Sequence, residues 1–330
     1  MKTVRIGVIG VGHLGALHAK MLADIPGVAL TAVFDIDAAK TQKIAAEFHC
    51  LPAGTAEDLL SQVDAVTIAT PTEAHCVSAL GALERGKHVF LEKPITQTID
   101  EAEAICRSAS QKGLLIQVGH IERFNPAILA LEKYPIAPMF VESHRLAQFN
   151  PRGTDVAVVL DLMIHDIDLI LSFVRSPVRA VEANGVAVVS DSVDIANARI
   201  QFENGCVANV TASRISQRKM RKMRLFQKSG YISIDFSEGI AEVFRLVGED
   251  EPEAKGTMML GEIGSGKYKR KIVYEQPEVK EGNALRHELS LFAQAVADGT
   301  PPVVSGEDGK RALEVASAIM EKIGQQKIVM

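Results

Sequence analysis

The chain has 330 residues, of which 47% are hydrophobic and 23% charged, a composition typical of a globular protein with one large or two ordinary domains. Its formal net charge of −5 gives no electrostatic reason to expect nucleic acid or an anionic membrane as a partner. No stretch reaches the ~18 uninterrupted apolar residues of a membrane-spanning helix, so we expect no membrane partner.

The four cysteines show neither the spacing of a metal site nor a disulfide-dense pattern. They are Cys50, Cys76, Cys106 and Cys206. We therefore predict that they are reduced packing residues, that the protein has no metal site, and that it is cytoplasmic.

An apolar, β-branched run from Val4 to Ile9 leads into the motif Gly10-x-Gly12-x-x-Gly15, and a helical pattern follows. This order predicts a buried strand, a tight glycine turn and the start of a helix. In such a turn Gly10 permits the bend, Gly12 lets the backbone approach a pyrophosphate, and Gly15 allows close packing of helix and strand. The free N–H groups at the helix start suit the phosphate charge.

A second predicted strand, Leu30 to Phe34, ends at an acidic residue. Asp35 follows Gly15 by 20 residues, the spacing at which a carboxylate bonds the ribose 2′-hydroxyl of a dinucleotide. Asp37 adds negative charge that disfavours a 2′-phosphate, so we predict NAD, with NADP less favoured. The alternative is a glycine turn in an α/β domain that binds no cofactor.

Strands and helices alternate over the first 120 residues, which predicts an α/β Rossmann domain with a doubly wound parallel sheet. The further predicted elements are helices over 38–48, 75–86 and 99–112 and strands over 64–69, 87–91 and 114–118. Ligands of such sheets lie across the carboxyl ends of the strands. The residues predicted to bind the cofactor are Gly10, Gly12, His13, Leu14, Gly15, Asp35, Thr70, Pro71, His75, Glu92 and Lys93.

The alternation of strands and helices ends after residue 120. From there we predict a second, α+β domain with an open-faced antiparallel sheet. Its predicted elements are a short helix over 125–133, an extended segment over 139–149, a long helix over 155–173, successive strands over 178–245, a mobile loop over 248–267 and helices over 284–297 and 307–323. Turn signals occur at Asn184-Gly185, Asn204-Gly205, Ser229-Gly230 and Glu238-Gly239. The predicted domain limits are 1–122 and 123–330.

Lys93 follows a predicted buried strand in the triplet Glu92-Lys93-Pro94. A lysine at the carboxyl end of such a strand faces the cleft beside a nicotinamide, and Pro94 keeps Lys93 extended because the residue before proline avoids helix. The alternative is an ordinary surface lysine.

A second group of polar residues lies in the long apolar helical pattern. On a continuous α-helix, Asp161, His165 and Asp168 fall within an arc of roughly 60°. Buried carboxylates and a histidine are costly unless they pair or take part in chemistry. A histidine oriented by carboxylates is suited to accept an alcohol proton, and the alternative is a structural His–Asp pair.

Together these residues predict one reaction, in which an alcohol carbon transfers hydride to a nicotinamide while a base takes the hydroxyl proton. We predict that His165 is this base, that Lys93 stabilises the developing negative charge on the oxygen, and that Asp161 orients His165. Whether Lys93 or His165 finally holds the proton stays open.

Four motifs carry a resemblance to the Gfo/Idh/MocA family: Gly10-x-Gly12-x-x-Gly15-x-x-His18, Ala69-Thr70-Pro71-Thr72, Glu92-Lys93-Pro94 and Asp161-x-x-x-His165-x-x-Asp168. The resemblance implies a Rossmann domain, an open-faced sheet domain that mediates oligomers, and NAD(P)-linked oxidation of a sugar or cyclitol. The family's catalytic lysine, aspartate and histidine match Lys93, Asp161 and His165. Because the family's sheet domain mediates oligomers, we expect a homodimer or homotetramer. Met163 departs from the glycine of many members and narrows the expected pocket.

The stretch from Gly119 to Pro126 looks like the corresponding stretch of family members that oxidise the 3-hydroxyl of UDP-N-acetylglucosamine or its uronic acid. The Arg123 guanidinium and the Asn125 amide of this stretch are suited to hold a sugar or diphosphate. The predicted substrate-binding residues are Lys93, Arg123, Asn125, Arg145, Asp161 and His165. Arg152 follows in the first extended segment of the second domain, and the basic run from Arg214 to Arg224 either adds to this site or forms a solvated sheet edge.

The leading hypothesis is an NAD-dependent oxidoreductase that acts on a secondary hydroxyl, C3 of a UDP-N-acetylhexosamine-type nucleotide sugar. The alternative within enzymes is a dehydrogenase of a free sugar or inositol. The alternative of another class is a non-catalytic NAD-binding sensor or scaffold, against which the presence of Lys93, Asp161 and His165 argues.

Overall fold

The computed structural model describes residues 3–150, 156–248, 257–265 and 269–325. The chain divides into two compact units: Met1–Ile121 with Asn283–Glu314, and Glu122–Gly282 with Val315–Met330. The predicted limits of 1–122 and 123–330 differ from this division in the segment Asn283–Glu314, which packs with the first unit.

The α-helices of the described residues are α1 (His13–Ala23), α2 (Ala38–Phe48), α3 (Ala56–Leu60), α4 (His75–Glu84), α5 (Ile99–Lys112), α6 (Pro126–Leu129), α7 (Ile164–Val174), α8 (Ala284–Asp298) and α9 (Gly306–Gly324). Two 3₁₀ turns, Thr72–Ala74 and Ile121–Phe124, and a π turn, Val159–Met163, accompany them. Within the described ranges no helix is long and apolar enough to cross a bilayer.

The first unit is built on a six-stranded parallel sheet. Its strands are β1 (Val4–Ile9), β2 (Val28–Phe34), β3 (Leu51–Pro52), β4 (Ala65–Ile68), β5 (His88–Glu92) and β6 (Ile116–Gly119). The spatial order is β3-β2-β1-β4-β5-β6, so the order reverses between β1 and β4. The carboxyl ends of these two strands flank the crevice in which such sheets bind ligands, which agrees with the predicted Rossmann fold.

The bounds of α2 and α5 agree with the predicted helices because both carry strong end signals. The Asp37 carboxylate accepts the N–H groups of Ala39 and Lys40 at the start of α2. Thr98 and Glu101 form a capping box at the start of α5. The sequence pattern does not predict β3 and α3, because both are too short to show a hydrophobic period.

The second unit contains a nine-stranded sheet in the order β14-β15-β13-β12-β11-β7-β10-β9-β8. Its strands are β7 (Phe140–Leu146), β8 (Val178–Val186), β9 (Ile195–Phe202), β10 (Val207–Ser213), β11 (Met220–Gln227), β12 (Gly230–Asp235), β13 (Ile240–Val247), β14 (Thr257–Ile263) and β15 (Arg270–Glu275). The sheet is antiparallel apart from the parallel pair β7 and β10, so it is mixed. A crossover that includes α7 separates these two strands and lets both run in one direction.

Two expectations for this sheet are wrong. The Asn184-Gly185 signal lies inside β8, where an added Cβ at Gly185 would meet the side chains of Val193 and Ile323 at 2.8 Å, so this glycine serves close packing instead of a turn. The segment predicted as a mobile loop, 248–267, contains β14, which pairs with β15. The rest of that prediction, at 249–256 and 266–267, lies outside the described residues, as do Arg152 and Asp155.

The side chains of the sheet alternate between a covered and an uncovered face. The covered face packs against α6, α7 and the π turn. On the other face five aromatic rings form a continuous row across the strands, with ring centroids 4.4 to 5.9 Å apart. The rings are Phe140, Phe226, Tyr231, Phe244 and Tyr274.

The segment after residue 283 joins the first unit through apolar contacts and backbone pairing. Phe292 of α8 is fully buried and meets Phe90 of β5 edge to face, with 5.7 Å between the ring centroids. The N–H of Val118 in β6 donates to the carbonyl of Val304. The sequence showed the two helices, but only these contacts reveal where they pack.

We expect Phe292→Ala to destabilise the first unit by about 3–5 kcal/mol, because it removes a fully buried ring from a packed core. Amide hydrogen exchange should become faster in β1 and β5 and remain unchanged in β8 and β9. Faster exchange confined to β8 and β9 would contradict the assignment of α8 to the first unit.

Candidate functional site

The glycine turn between β1 and α1 has two crowded positions and one open position. Gly10 has φ +84°, and an added Cβ there would lie 2.9 Å from the Ala69 carbonyl oxygen. A Cβ at Gly15 would lie 1.8 Å from the Gly10 carbonyl oxygen. Gly12, the N-cap of α1, has no atom within 4 Å of such a Cβ and no side-chain cap. The turn therefore fits a dinucleotide, whose pyrophosphate needs open space beside the helix N–H groups.

Two carboxylates lie at the end of β2 beside this turn. Asp35 accepts the N–H of Val11 at 2.8 Å and the N–H of Asp37 at 2.9 Å, one on each carboxylate oxygen. Each oxygen keeps a further lone pair for a ribose hydroxyl. Hydrogen bonding from the Lys40 backbone lowers the pKa of the Asp37 carboxyl. The edge therefore carries negative charge, which suits NAD and disfavours the 2′-phosphate of NADP.

His75 connects two loops at the carboxyl edge of the sheet. Its ring is 1% exposed, with Nδ1 2.9 Å from the Pro94 carbonyl oxygen and Nε2 3.0 Å from the Thr70 carbonyl oxygen. Burial lowers the pKa of His75 against the opposing effect of these hydrogen bonds. The enclosed His75 ring therefore connects these two loops, whereas Thr70 and Pro71 lie on the edge itself.

Lys93 follows β5 directly and is half-buried. Its N–H donates to Glu92 Oε2 at 3.3 Å, and the Lys93–Pro94 peptide bond is cis. The other oxygen of Glu92 lies 2.9 Å from Nε2 of His18 on α1. The Glu92 side chain is therefore engaged inside the first unit. The sequence pattern did not reveal His18 as this partner, although His18 follows Gly15 in the glycine motif.

In the second unit the predicted group of Asp161, His165 and Asp168 is divided. Asp161 lies in the π turn and His165 in the first turn of α7, and both are half-buried. The arc worked out for a continuous α-helix does not apply across a π turn, which has a different hydrogen-bond spacing. Asp168 is 1% exposed and accepts Arg123 Nε at 2.7 Å and Nη2 at 2.6 Å.

A second buried ion pair holds the same helix next to His165. Arg145 of β7 donates from Nε and Nη2 to Asp166 at 2.8 and 2.9 Å, and from Nη1 to Glu122 at 3.1 Å. Burial opposes the charge of this guanidinium, but Asp166 and Glu122 raise its pKa. Arg221, opposite Arg145 on β11, also pairs with Glu122.

The arginines that were predicted to bind substrate form salt bridges with carboxylates of the protein itself. Three guanidinium groups face three carboxylates around the start of α7: Arg123, Arg145 and Arg221 with Glu122, Asp166 and Asp168. This cluster has no excess positive charge to offer a diphosphate. Asn125 caps α6 by accepting the N–H of Ala127 at 3.1 Å.

Glu122 and Asp166 were missed in the sequence, although one signal pointed to Asp166. A carboxylate next to His165 in a strongly apolar helix needs a buried cation, and the basic residues of nearby strands were the available candidates.

The basic run on β11 is divided between the two faces of the sheet because side chains alternate along a strand. On the uncovered face Lys222 pairs with Asp235 at 2.9 Å and Arg224 with Glu142 at 2.5 Å. Arg214, before the strand, is buried and donates to the Val156 carbonyl. The run is therefore largely engaged in intramolecular pairs.

Both parts of the chain are similar to domains of a known protein family. Residues 4–120 match the oxidoreductase family with an NAD-binding Rossmann fold named Gfo/Idh/MocA, and residues 140–239 match the C-terminal domain of that family. The chain belongs to the Gfo/Idh/MocA family. The resemblance drawn from the four motifs is confirmed, and so are the class of enzyme and the NAD cofactor of its first domain.

Individual members of the Gfo/Idh/MocA family differ in how much of the chain they match. UDP-N-acetylglucosamine 3-dehydrogenase of Acidithiobacillus ferrooxidans is 37% identical over 314 residues, 95% of each chain. A solved structure of that enzyme has a TM-score of 0.85 and 36% identity, and covers 98% of this chain and 100% of its own. Scyllo-inositol 2-dehydrogenase (NAD(+)) of Bacillus subtilis is 30% identical over 234 residues, 64% of this chain and 68% of its own.

The glycine turn of this family member supports a matched pair of variants. Gly15→Ala should destabilise the protein by about 3 kcal/mol or more, because the new methyl group collides with the backbone of Gly10. Gly12→Ala should leave the thermal unfolding midpoint within about 2 °C of wild type and weaken NAD binding at least about tenfold. Calorimetry of both variants checks this pair. Unchanged NAD affinity in Gly12→Ala would contradict the placement of the pyrophosphate.

We expect Arg145→Met to cost about 3–5 kcal/mol of stability, because it leaves Asp166 and Glu122 buried without their cation. Arg145→Lys keeps the charge but not the bidentate geometry, so its loss should be smaller. Urea unfolding followed by circular dichroism measures both. A raised substrate KM with unchanged stability in Arg145→Met would instead favour a direct contact with substrate.

Proposed function

We propose that this Gfo/Idh/MocA oxidoreductase uses NAD to oxidise the C3 hydroxyl of a UDP-N-acetylhexosamine-type nucleotide sugar. The observation that carries the proposal is the 37% identity to a UDP-N-acetylglucosamine 3-dehydrogenase over 95% of both chains. A match of that extent includes the second unit, the part of the chain outside the cofactor-binding fold. The stretch from Gly119 to Pro126 supports the same substrate class.

The first unit supplies the proposed cofactor site. Gly12 and the helix N–H groups of His13 and Leu14 hold the pyrophosphate, and Asp35 accepts the ribose hydroxyls. Thr70 and Pro71 border the same edge. When bound, NAD supplies the acceptor for the hydride of the alcohol carbon.

The proposed chemistry uses three side chains. His165, which is half-buried, takes the hydroxyl proton. Lys93 donates a hydrogen bond to the same oxygen and stabilises the negative charge that develops there. Asp161 orients His165.

The buried ion pairs of Asp166 and Asp168 support the role of His165. They attach α7 to β7 and to the turn before α6 at positions one and three residues after the histidine. A general base on a helix fixed in this way keeps its position during the reaction, as catalytic groups require. Arg123 and Arg145 then contribute to the site through this support, and Asn125 donates from Nδ2 to Glu122, which also accepts Arg145.

A dehydrogenase of a free sugar or cyclitol is the second candidate. The 30% identity to a scyllo-inositol 2-dehydrogenase favours it, but that match covers 64% of this chain. In addition, Arg123, Arg145 and Arg221 pair with carboxylates around the start of α7. These three arginines therefore have no excess positive charge for a diphosphate. Under the first proposal the diphosphate contact therefore comes from other residues.

The homo-oligomeric state and the cytoplasmic location stay predictions. The half-buried aromatic row on the uncovered face of the second sheet supports an assembly of several copies, because such rings lose water contact when another surface covers them.

The function is tested by mixing the protein and NAD with UDP-N-acetylglucosamine, scyllo-inositol or glucose and following the absorbance of reduced nicotinamide. We expect turnover with the nucleotide sugar and at least about 100-fold lower kcat/KM with the free polyols. Turnover of the polyols alone would contradict the proposal.

In the same assay Lys93→Met should lower kcat about 100- to 10,000-fold and leave NAD affinity within about threefold. A sensor without catalysis would show NAD binding and no turnover with any of these substrates.

A further inference from the structure

A buried pair of titratable side chains lies directly behind Lys93. His18, on the inner face of α1, is 0% exposed, and its Nε2 lies 2.9 Å from Glu92 Oε1. Glu92 is the last residue of β5, and its other carboxylate oxygen accepts the N–H of Lys93 at 3.3 Å. One carboxylate therefore connects the ring on the helix with the backbone of the lysine.

The surroundings leave this carboxylate little freedom to move. Gly119, at the end of β6, faces it, and an added Cβ there would lie 2.9 Å from the carboxyl carbon and from both oxygens of Glu92. The His18 ring packs edge-on against Phe90, with 5.5 Å between the ring centroids. The first unit thus provides a space that holds the Glu92 carboxylate in one place.

The hydrogen bonds make the positions of α1 and of Lys93 interdependent. A carboxylate removed from water needs donors, and here they come from the His18 ring and the Lys93 backbone. The helix that carries His18 is the one that begins at Gly12, the open position of the glycine turn. A displacement of the helix therefore shifts the lysine backbone through a chain of two hydrogen bonds.

We propose that His18 is a positioning residue for Lys93, and that it acts through Glu92 to fix the lysine backbone relative to the cofactor-binding helix. The inference rests on the proposed function only in the role given to Lys93. Because misplacing a reacting group by about 1 Å can cost about 100-fold in rate, this connection affects the chemical step and not the binding of NAD.

A matched pair of variants tests the connection. His18→Leu removes both ring nitrogens at similar size, whereas His18→Gln keeps an N–H donor that reaches towards Glu92. We expect His18→Leu to lower kcat about 10- to 100-fold, with the NAD dissociation constant within about threefold of wild type. His18→Gln should restore kcat to within about threefold of wild type. Should His18→Leu fail to fold, His18→Asn replaces it, since its shorter amide does not reach the carboxylate.

Hydrogen exchange of the free protein gives a second readout that needs no substrate. The amide of Lys93, measured in a peptide spanning 90–96, should exchange at least about tenfold faster in His18→Leu and near the wild-type rate in His18→Gln. Amides of β1 should be unchanged. Unchanged exchange at Lys93, or faster exchange throughout the first unit, would overturn the proposal.

A double variant shows whether the two side chains act as one unit. If His18 acts through Glu92, His18→Leu combined with Glu92→Gln should lower kcat no further than the more damaging single change. Losses of kcat that multiply would overturn the proposal.

The Lys93→Met assay separates the two proposals. Full turnover of Lys93→Met, together with faster Lys93 exchange in His18→Leu, contradicts the catalytic role proposed for Lys93 and keeps the structural connection. Loss of turnover in Lys93→Met, with no effect of His18→Leu on exchange or kcat, overturns the positioning role alone.

Discussion

The close approach of α1 to β1 is the constraint on which the first unit depends. At Gly15 the helix comes so near that a Cβ would lie 1.8 Å from the Gly10 carbonyl oxygen, so only glycine allows this packing. The same approach places the open backbone of Gly12 at the edge of the sheet and the His18 ring against Glu92. The open position at Gly12 and the contact between His18 and Glu92 therefore both depend on one close approach between a helix and a strand.

In the second unit, buried ion pairs fix the position of the helix α7. Burying Asp166 and Asp168 is costly unless cations are bound to them in good geometry, and Arg145 and Arg123 supply bidentate hydrogen bonds. These pairs attach the first turns of α7 to neighbouring elements, and His165, the residue before Asp166, is half-buried. The arginines that looked like ligands for a substrate thus serve the support of a proposed base.

The sequence predicted most of the first unit because its signals are local. Glycine positions, caps and hydrophobic runs depend on neighbours in the chain, and the bounds of α2 and α5 agree with them. The second unit was harder to predict. The π turn of Val159–Met163, the parallel pair of β7 and β10, and the strand β14 all depend on contacts between distant segments.

The sequence by itself determined the family and the cofactor class and predicted residues for the chemistry, because these follow from residue types at short, fixed spacings. Only the tertiary structure decided which charged residues are committed to one another. The partners of Arg145, at positions 122 and 166, lie 23 and 21 residues away in the chain, and those of Glu92 and Arg123 lie 74 and 45 residues away. No local pattern pairs residues over such separations, since the pairing arises only when strands and helices pack.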